Sequence, residues 1–277
     1  MPILKIEIND VTHSVLDEGD GEAVLLLHGF PDGAATWRHQ IPALVEAGYR
    51  VVAPDLRGFG ASGRPARVED YKVESVLSDL IGMLDHLEIQ KCHVMGHDWG
   101  AFVAWLFAAF HPIRTRTLAV LQVGHPNSFF RSGINQRRLS WYISLFQFVG
   151  VAEDALQRDD WKLFRDWLEG HPDTEQFIAD LARPGALTAG LNWYRANVPP
   201  SVLFGEPPSF PNIKVPSLGI WGDQDMALCE DQVTRSADYV DGGWTYERVR
   251  GASHWVQIDR AEDVNRILLT FVGRHRT

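Results

Sequence analysis

Met95-Gly96-His97-Asp98-Trp99-Gly100-Ala101 decides the reading of this chain. It follows a short apolar run of strand type, Lys91 to Met95, and opens a stretch, Phe102 to Phe110, that is apolar nearly all round, as a buried helix would be. A strand that passes straight into a helix holds the junction residue in a strained backbone and lifts its side chain above the sheet; glycines two before and two after permit the close packing this requires. Asp98 occupies that junction. An Asp ahead of a helix is by itself most often an N-cap, but the preceding strand and the paired glycines favour a nucleophile elbow that carries a carboxylate in place of a serine. The helix N-terminus favours the ionised form.

Three further motifs fall in register with this elbow. Leu27-His28-Gly29-Phe30-Pro31 follows the apolar run Ala23 to Leu27, and its tight turn aims a backbone N–H above the sheet; with the N–H of Trp99 it would form an oxyanion hole. Gly222-Asp223-Gln224-Asp225 ends another apolar run, and Gly251-Ala252-Ser253-His254-Trp255 follows the last one. Nucleophile, acid and histidine therefore occur in the chain order Asp98, Asp225, His254. Asp225 is preferred to Asp223 as the acid because of its distance from the strand-end glycine, which leaves Asp223 to form the turn. Asp55, in Pro54-Asp55-Leu56-Arg57-Gly58, is expected to pair with Arg57 or with local backbone.

Apolar runs at Ala23 to Leu27, Tyr49 to Ala53, Lys91 to Met95, Thr117 to Val123 and Ser217 to Trp221 read as strands buried on both faces, and Trp244 to Val249 as a last strand. Ile3 to Ile8 and Thr12 to Leu16, split by Asn9-Asp10, read as a hairpin. Helical patterns at Trp37 to Ala47, Val73 to Leu87, Ala101 to His111 and Ala261 to about Arg274 alternate with these runs, so the class is α/β with right-handed crossovers. The alternation stops after about Gly124. Helical patterns follow at Leu139 to Phe148, Asp159 to Leu168, Asp173 to Leu181 and Leu187 to Asn197, then a proline-rich stretch, Pro199 to Pro216. Residues 128–212 are thus read as a helical cap inserted between 1–127 and 213–277.

The bulk composition excludes several classes. Among 277 residues, 45% are hydrophobic and ten are Trp, which suits a sizeable core with an aromatic-lined interior. A net charge of -10 repels nucleic-acid phosphates and anionic lipid within a Debye length of about 8–10 Å. Neither Cys92 nor Cys229 belongs to a cluster of metal-ligand spacing, and no apolar run reaches the roughly 18 residues of a membrane span. The N-terminus reads as no secretory signal. The expectation is a cytoplasmic enzyme that uses neither metal nor cofactor and binds neither nucleic acid nor membrane; oligomeric state stays open, a homodimer included.

Taken together, HGFP at 28–31, PDLRGFGAS at 54–62, GHDWGA at 96–101, GDQD at 222–225 and ASH at 252–254 resemble the α/β-hydrolase superfamily, and within it the soluble epoxide hydrolases. The likeness spans essentially the whole chain. Trp141-Tyr142-Ile143-Ser144-Leu145-Phe146-Gln147 and Leu191-Asn192-Trp193-Tyr194-Arg195 are similar to the cap segments that carry the family's two ring-opening tyrosines. Phe148-Val149 departs from the family, which usually has an acid and a proline there. The resemblance implies a mostly parallel eight-stranded sheet flanked by helices, with the inserted cap. It implies that Asp98 attacks a small hydrophobic epoxide while Tyr142 and Tyr194 protonate the leaving oxygen. Water activated by His254 and Asp225 would then hydrolyse the ester, with the N–H groups of Phe30 and Trp99 holding the oxyanion. Phe30, Trp99, Phe146 and Trp255 are the expected substrate walls. The rival within the superfamily is a haloalkane dehalogenase, which uses the same three polar residues and a Trp after the nucleophile to cradle halide; Trp141 or Trp193 would be its second donor. A non-catalytic receptor on the same fold has no need for a water-activating pair.

Overall fold

The computed structural model describes residues 3–206 and 208–276. Strands Ile3–Ile8 (β1) and Val11–Glu18 (β2) pair antiparallel across Asn9 and Asp10. Both turn residues have positive φ, 52° and 60°, the backbone of a tight two-residue hairpin, which Asn and Asp tolerate better than other side chains. Six more strands complete one sheet: Glu22–Leu27 (β3), Tyr49–Pro54 (β4), Cys92–His97 (β5), Thr115–Leu121 (β6), Ser217–Gly222 (β7) and Trp244–Val249 (β8). Their order is β1-β2-β4-β3-β5-β6-β7-β8. Pairing from β4 through β8 is parallel, while β2 meets β4 antiparallel.

Helices cover both faces, which is why β3, β5 and β7 are buried nearly throughout and read as continuous apolar runs. Gln40–Glu46 and Ala261–Gly273 pack on one face, with Ile41, Leu44, Leu268 and Phe271 in its core. Val73–His86 and Trp99–Phe110 pack on the other. The chain leaves β3 toward β4 and then returns across it to β5. The loops after β3 and β5 therefore part above the sheet and open the crevice in which α/β sheets place their ligands.

Between β6 and β7 the chain forms helices at Pro126–Phe130, Ile134–Leu139, Trp141–Phe146, Val151–Trp167, Thr174–Leu181, Ala186–Asn197 and Pro200–Phe204. Its two ends run side by side: the Asn127 amide exchanges two hydrogen bonds of 2.9 Å with the backbone of Phe210. Three helical patterns differ from the periodicity by more than a residue or two at an end. The first helix starts at Gln40, after a separate 3-10 turn at Ala34–Trp37. The pattern from Leu139 is broken at Ser140, which divides two short helices. The helix expected from Asp159 extends back to Val151 through a reversal, where Asp159, Asp160 and Trp161 all have positive φ; periodicity records which side chains share a face and is blind to that backbone change. Among the described residues, no helix is long and apolar enough to cross a membrane.

Arg57 is not paired with Asp55, as one of the two sequence expectations had it. Asp55 instead accepts the N–H groups of Ala34 and Ala61, each at 2.9 Å. Arg57 turns inward to Asp79 at 2.6 Å, with both side chains no more than 5% exposed. Asn9 and His13 approach the same carboxylate from the hairpin. A buried pair of this kind adds little net stability, but removing one member strands the other charge. Asp79→Ala is expected to cost about 3–5 kcal/mol, read as a lowered midpoint in urea unfolding; a loss below about 1 kcal/mol would mean that water reaches the stranded guanidinium.

Candidate active site

Asp98 leaves β5 with φ 52° and ψ -122° and makes no capping bond to the helix it precedes, so the N-cap reading does not apply. The glycines enforce this geometry. A Cβ on Gly100 would lie 2.0 Å from the Leu27 carbonyl oxygen, and one on Gly96 would lie 2.2 Å from that of Gly100. Gly29, by the same test, leaves room for the carboxylate itself, since its Cβ would meet Asp98 Oδ1 at 2.4 Å. The Phe30 N–H donates to Asp98 Oδ1 at 2.8 Å. Asp98 Oδ2 faces His254 Nε2 at 3.6 Å.

On its other side the imidazole of His254 meets Asp225, with Nδ1 at 3.0 and 3.1 Å from the two oxygens. Asp225 is oriented by the N–H groups of Ala227 and Leu228, at 2.7 and 3.0 Å. Asp223 points away and accepts the Gly251 N–H at 2.7 Å, which ties the acid loop to the histidine loop. Two buried residues that sequence reasoning passed over hold His254 from behind. His97 bonds its carbonyl at 2.8 Å. Gln122, at φ 73°, donates to the carbonyls of Ser253 and His254 and accepts the Gly222 N–H. The only trace of Gln122 in the sequence is a polar residue closing an apolar strand.

Tyr142 and Tyr194 arrive from separate helices of the insertion, their rings 6.0 Å apart and nearly perpendicular. Both line the same cavity as Asp98, of about 40 Å³. Its remaining walls are apolar, among them Phe102, Phe130, Ile143 and Leu228. That volume is small beside the usual size of a site for an organic ligand. A far larger concavity, about 790 Å³, lies near the β1–β2 turn, but charged side chains such as Arg64, Arg67 and Glu74 line it and it holds no nucleophile beside a base.

A model of the alpha/beta hydrolase fold matches residues 22–261. The chain belongs to the α/β-hydrolase family. It is 33% identical to Epoxide hydrolase A of Mycobacterium tuberculosis, over 96% of each chain, and 37% identical to Epoxide hydrolase 3 of Xenopus tropicalis, over 90% of this chain and 71% of that one. The crystal structure of Epoxide Hydrolase A from Mycobacterium thermoresistibile superposes with a TM-score of 0.80 at 32% identity, over 98% of this chain and 97% of that one. An inhibitor-bound epoxide hydrolase from Bacillus megaterium superposes with 0.87 at 28% identity, over 98% and 100%. The likeness to this family read from the motifs thus extends over almost the whole fold.

In this α/β-hydrolase burial and neighbouring charge oppose each other at Asp98 and His254. Burial alone would raise the Asp98 carboxyl, but His254, His97 and the Phe30 N–H outweigh it and hold it below the usual range. Burial would likewise lower His254, yet the flanking Asp225 and Asp98 carry it up to about 10. Burial, with Asp98 nearby, pushes both tyrosine hydroxyls well above 10, so each remains an O–H donor at neutral pH. Of the two expected oxyanion donors, Phe30 is bonded to the carboxylate, whereas the Trp99 N–H makes no such bond among the described residues. The four expected substrate walls lie at different distances from this cavity. Trp99 does line the cavity. Phe30 and Phe146 pack behind Tyr194, at 5.7 and 5.0 Å, and so support a tyrosine without lining the cavity. Trp255 lies beyond His254 at 5.1 Å and donates its indole N–H to Asp32.

Asp32 was also missed, although it directly follows the HGFP turn. Burial raises it to about 7 against the bond from Trp255. A carboxyl raised on folding holds its proton more tightly in the folded state, so its contribution is present below about pH 4 and is lost as pH rises through 7. Asp32→Asn keeps an acceptor for Trp255 and removes that titration. The melting temperature of the variant relative to the parent is expected to climb between pH 4 and pH 7; a difference independent of pH would show that Asp32 is not held protonated.

Proposed function

We propose that the protein is an epoxide hydrolase that converts a small, uncharged, hydrophobic epoxide to a vicinal diol. One observation carries this reading: a carboxylate nucleophile and two phenol O–H donors face one apolar cavity, with a histidine–carboxylate pair against the nucleophile. The relatives' names support it. In this reading the stretch 128–212 acts as the cap that brings in the two donors.

Asp98 Oδ2 attacks one ring carbon, the carbon–oxygen bond breaks, and Tyr142 or Tyr194 gives a proton to the departing oxygen. Oδ1, already held by the Phe30 N–H, becomes the ester carbonyl. Water then adds to that carbonyl carbon, His254 takes its proton, and Asp225 stabilises the imidazolium. The tetrahedral oxyanion forms where Phe30 donates, and the Trp99 N–H is the second donor of the proposal. Collapse breaks the bond to the diol oxygen, which takes the proton from the imidazolium, and the acid proton left on Asp98 passes to the tyrosinate, so that carboxylate, imidazole and phenol are all restored. Esterification also removes the anion beside His254, which weakens one of the two influences that raise the imidazole. The histidine is thereby released to act as a base only after the ester has formed.

The dehalogenase reading has one point in its favour, that Trp99 faces the cavity. Its indole, however, packs edge-on against the Tyr194 ring, with centroids 5.0 Å apart. Trp193 donates to the Arg57 carbonyl at 3.1 Å, and Trp141 is 45% exposed, so neither serves as a second halide donor here.

Incubated with styrene oxide and, separately, with haloalkanes, the protein is expected to yield diol and no halide. Asp98→Ala should abolish turnover, and His254→Gln should accumulate a protein adduct of the epoxide's mass. Halide release without diol would replace this reading by the dehalogenase one. Asp98→Asn imitates the neutral ester, so the His254 titration followed by ¹⁵N NMR is expected to fall from about 10 in the parent; an unchanged value would exclude the proposed release of the base.

A further inference from the structure

Two donors that must converge on a single oxygen need their helices held in register, and the helix carrying Tyr142, Trp141–Phe146, has only six residues. So short a helix has no stability of its own in water. Its last carbonyl, that of Phe146, is bonded at 2.8 Å by the Nε of Arg195, the residue next to Tyr194 in the other helix. The same guanidinium forks onto Glu153 at 2.8 and 2.9 Å and meets Asn192 at 3.1 Å. Glu153 in turn accepts the Gly150 N–H at 2.8 Å and so fixes the turn that follows the Tyr142 helix. One buried cation thus joins the end of one tyrosine helix, the start of the next helix and the segment bearing the second tyrosine. Its side chain is only 5% exposed and does not line the cavity.

We infer that Arg195 is a positioning residue for ring opening: bonded to the Phe146 carbonyl and Glu153, it sets the Tyr142 and Tyr194 hydroxyls against each other above Asp98. The inference rests on the epoxide hydrolase reading. It makes a distinction that bulk stability does not, because Arg195 acts on the half of the site that opens the epoxide, whereas Phe30, Asp225 and His254, whose groups hydrolyse the ester, are held by the loops after β3, β7 and β8. A displacement of about 1 Å in such donors costs on the order of 100-fold in rate.

The experiment separates the two half-reactions. Ester formation is timed by rapid quench and intact mass in the His254→Gln background, and ester breakdown in the parent background after a single turnover. Arg195→Met is expected to slow ester formation by about 10- to 100-fold, to leave breakdown within about twofold, and to reach the same final adduct stoichiometry; Arg195→Lys should recover part of the loss. Should Arg195→Met fail to fold, by circular dichroism, Arg195→Lys and Glu153→Gln carry the test, each expected to slow formation selectively. Equal slowing of both steps, or unchanged ester formation in the folded variants, would overturn the inference. Tyr142→Phe and Tyr194→Phe run in parallel: if they slow ester formation and the Arg195 and Glu153 variants do not, only the role of Arg195 fails. If neither tyrosine matters, the ring-opening reading fails first.

Discussion

A carboxylate taken out of water at the end of β5 costs several kcal/mol unless charge and hydrogen bonds meet it there, and much of the molecule answers to that requirement. Asp98 is 9% exposed. What meets it comes from distant parts of the chain: the Phe30 N–H from the loop after β3, and His254 from the loop after β8, itself backed by Asp225 from the loop after β7. These loops converge because the sheet is parallel and presents their strand ends on one edge, and because the strand order reverses between β3 and β5. The crowding that follows leaves no space for a Cβ at Gly29, Gly96 or Gly100. Glycine at those positions is a condition of burying the charge.

The insertion solves the complementary problem. In the proposed reaction an epoxide oxygen leaves only if a proton reaches it, in a cavity whose walls are otherwise apolar. Tyrosine suits this, since burial and the nearby anion keep its proton bound at neutral pH, while the ring contributes to an aromatic wall. The two rings pack against Phe146, and Trp167 adds a further contact to Tyr142 at 4.7 Å. In the proposed reaction the sheet holds the groups that make and break the ester, and the insertion holds those that open the ring. The division explains why each half has its own buried polar framework, Gln122 and His97 behind His254, and Arg195 with Glu153 behind the tyrosines.

What could be read in advance followed from how locally each feature is encoded. The edge strands Ile3–Ile8 and Trp244–Val249 were legible to the residue from their alternation, and the interior strands to within two because burial on both faces leaves an unbroken apolar run. Within the insertion, legibility fell: Ser140 breaks one pattern, and the reversal at Arg158–Trp161 hides inside another. The partner of Arg57 was misjudged for a similar reason, since Asp79 lies 22 residues away on a helix whose facing could not be known.

By itself, the sequence determined the strand-to-helix elbow at Asp98, the chain order Asp98, Asp225, His254, and the alternation that makes the sheet. These depend on neighbouring residues: a strained junction needs its own glycines, and a buried strand needs its own apolar run. Only the tertiary structure decided that Asp79 and not Asp55 meets Arg57, that Phe30, Phe146 and Trp255 stand behind the cavity, and that Asp32, Gln122 and Arg195 brace the site. Each of those facts is a contact made across the fold, set by which buried polar atoms found partners when the strand ends and the insertion packed together, and no spacing along the chain records such a choice.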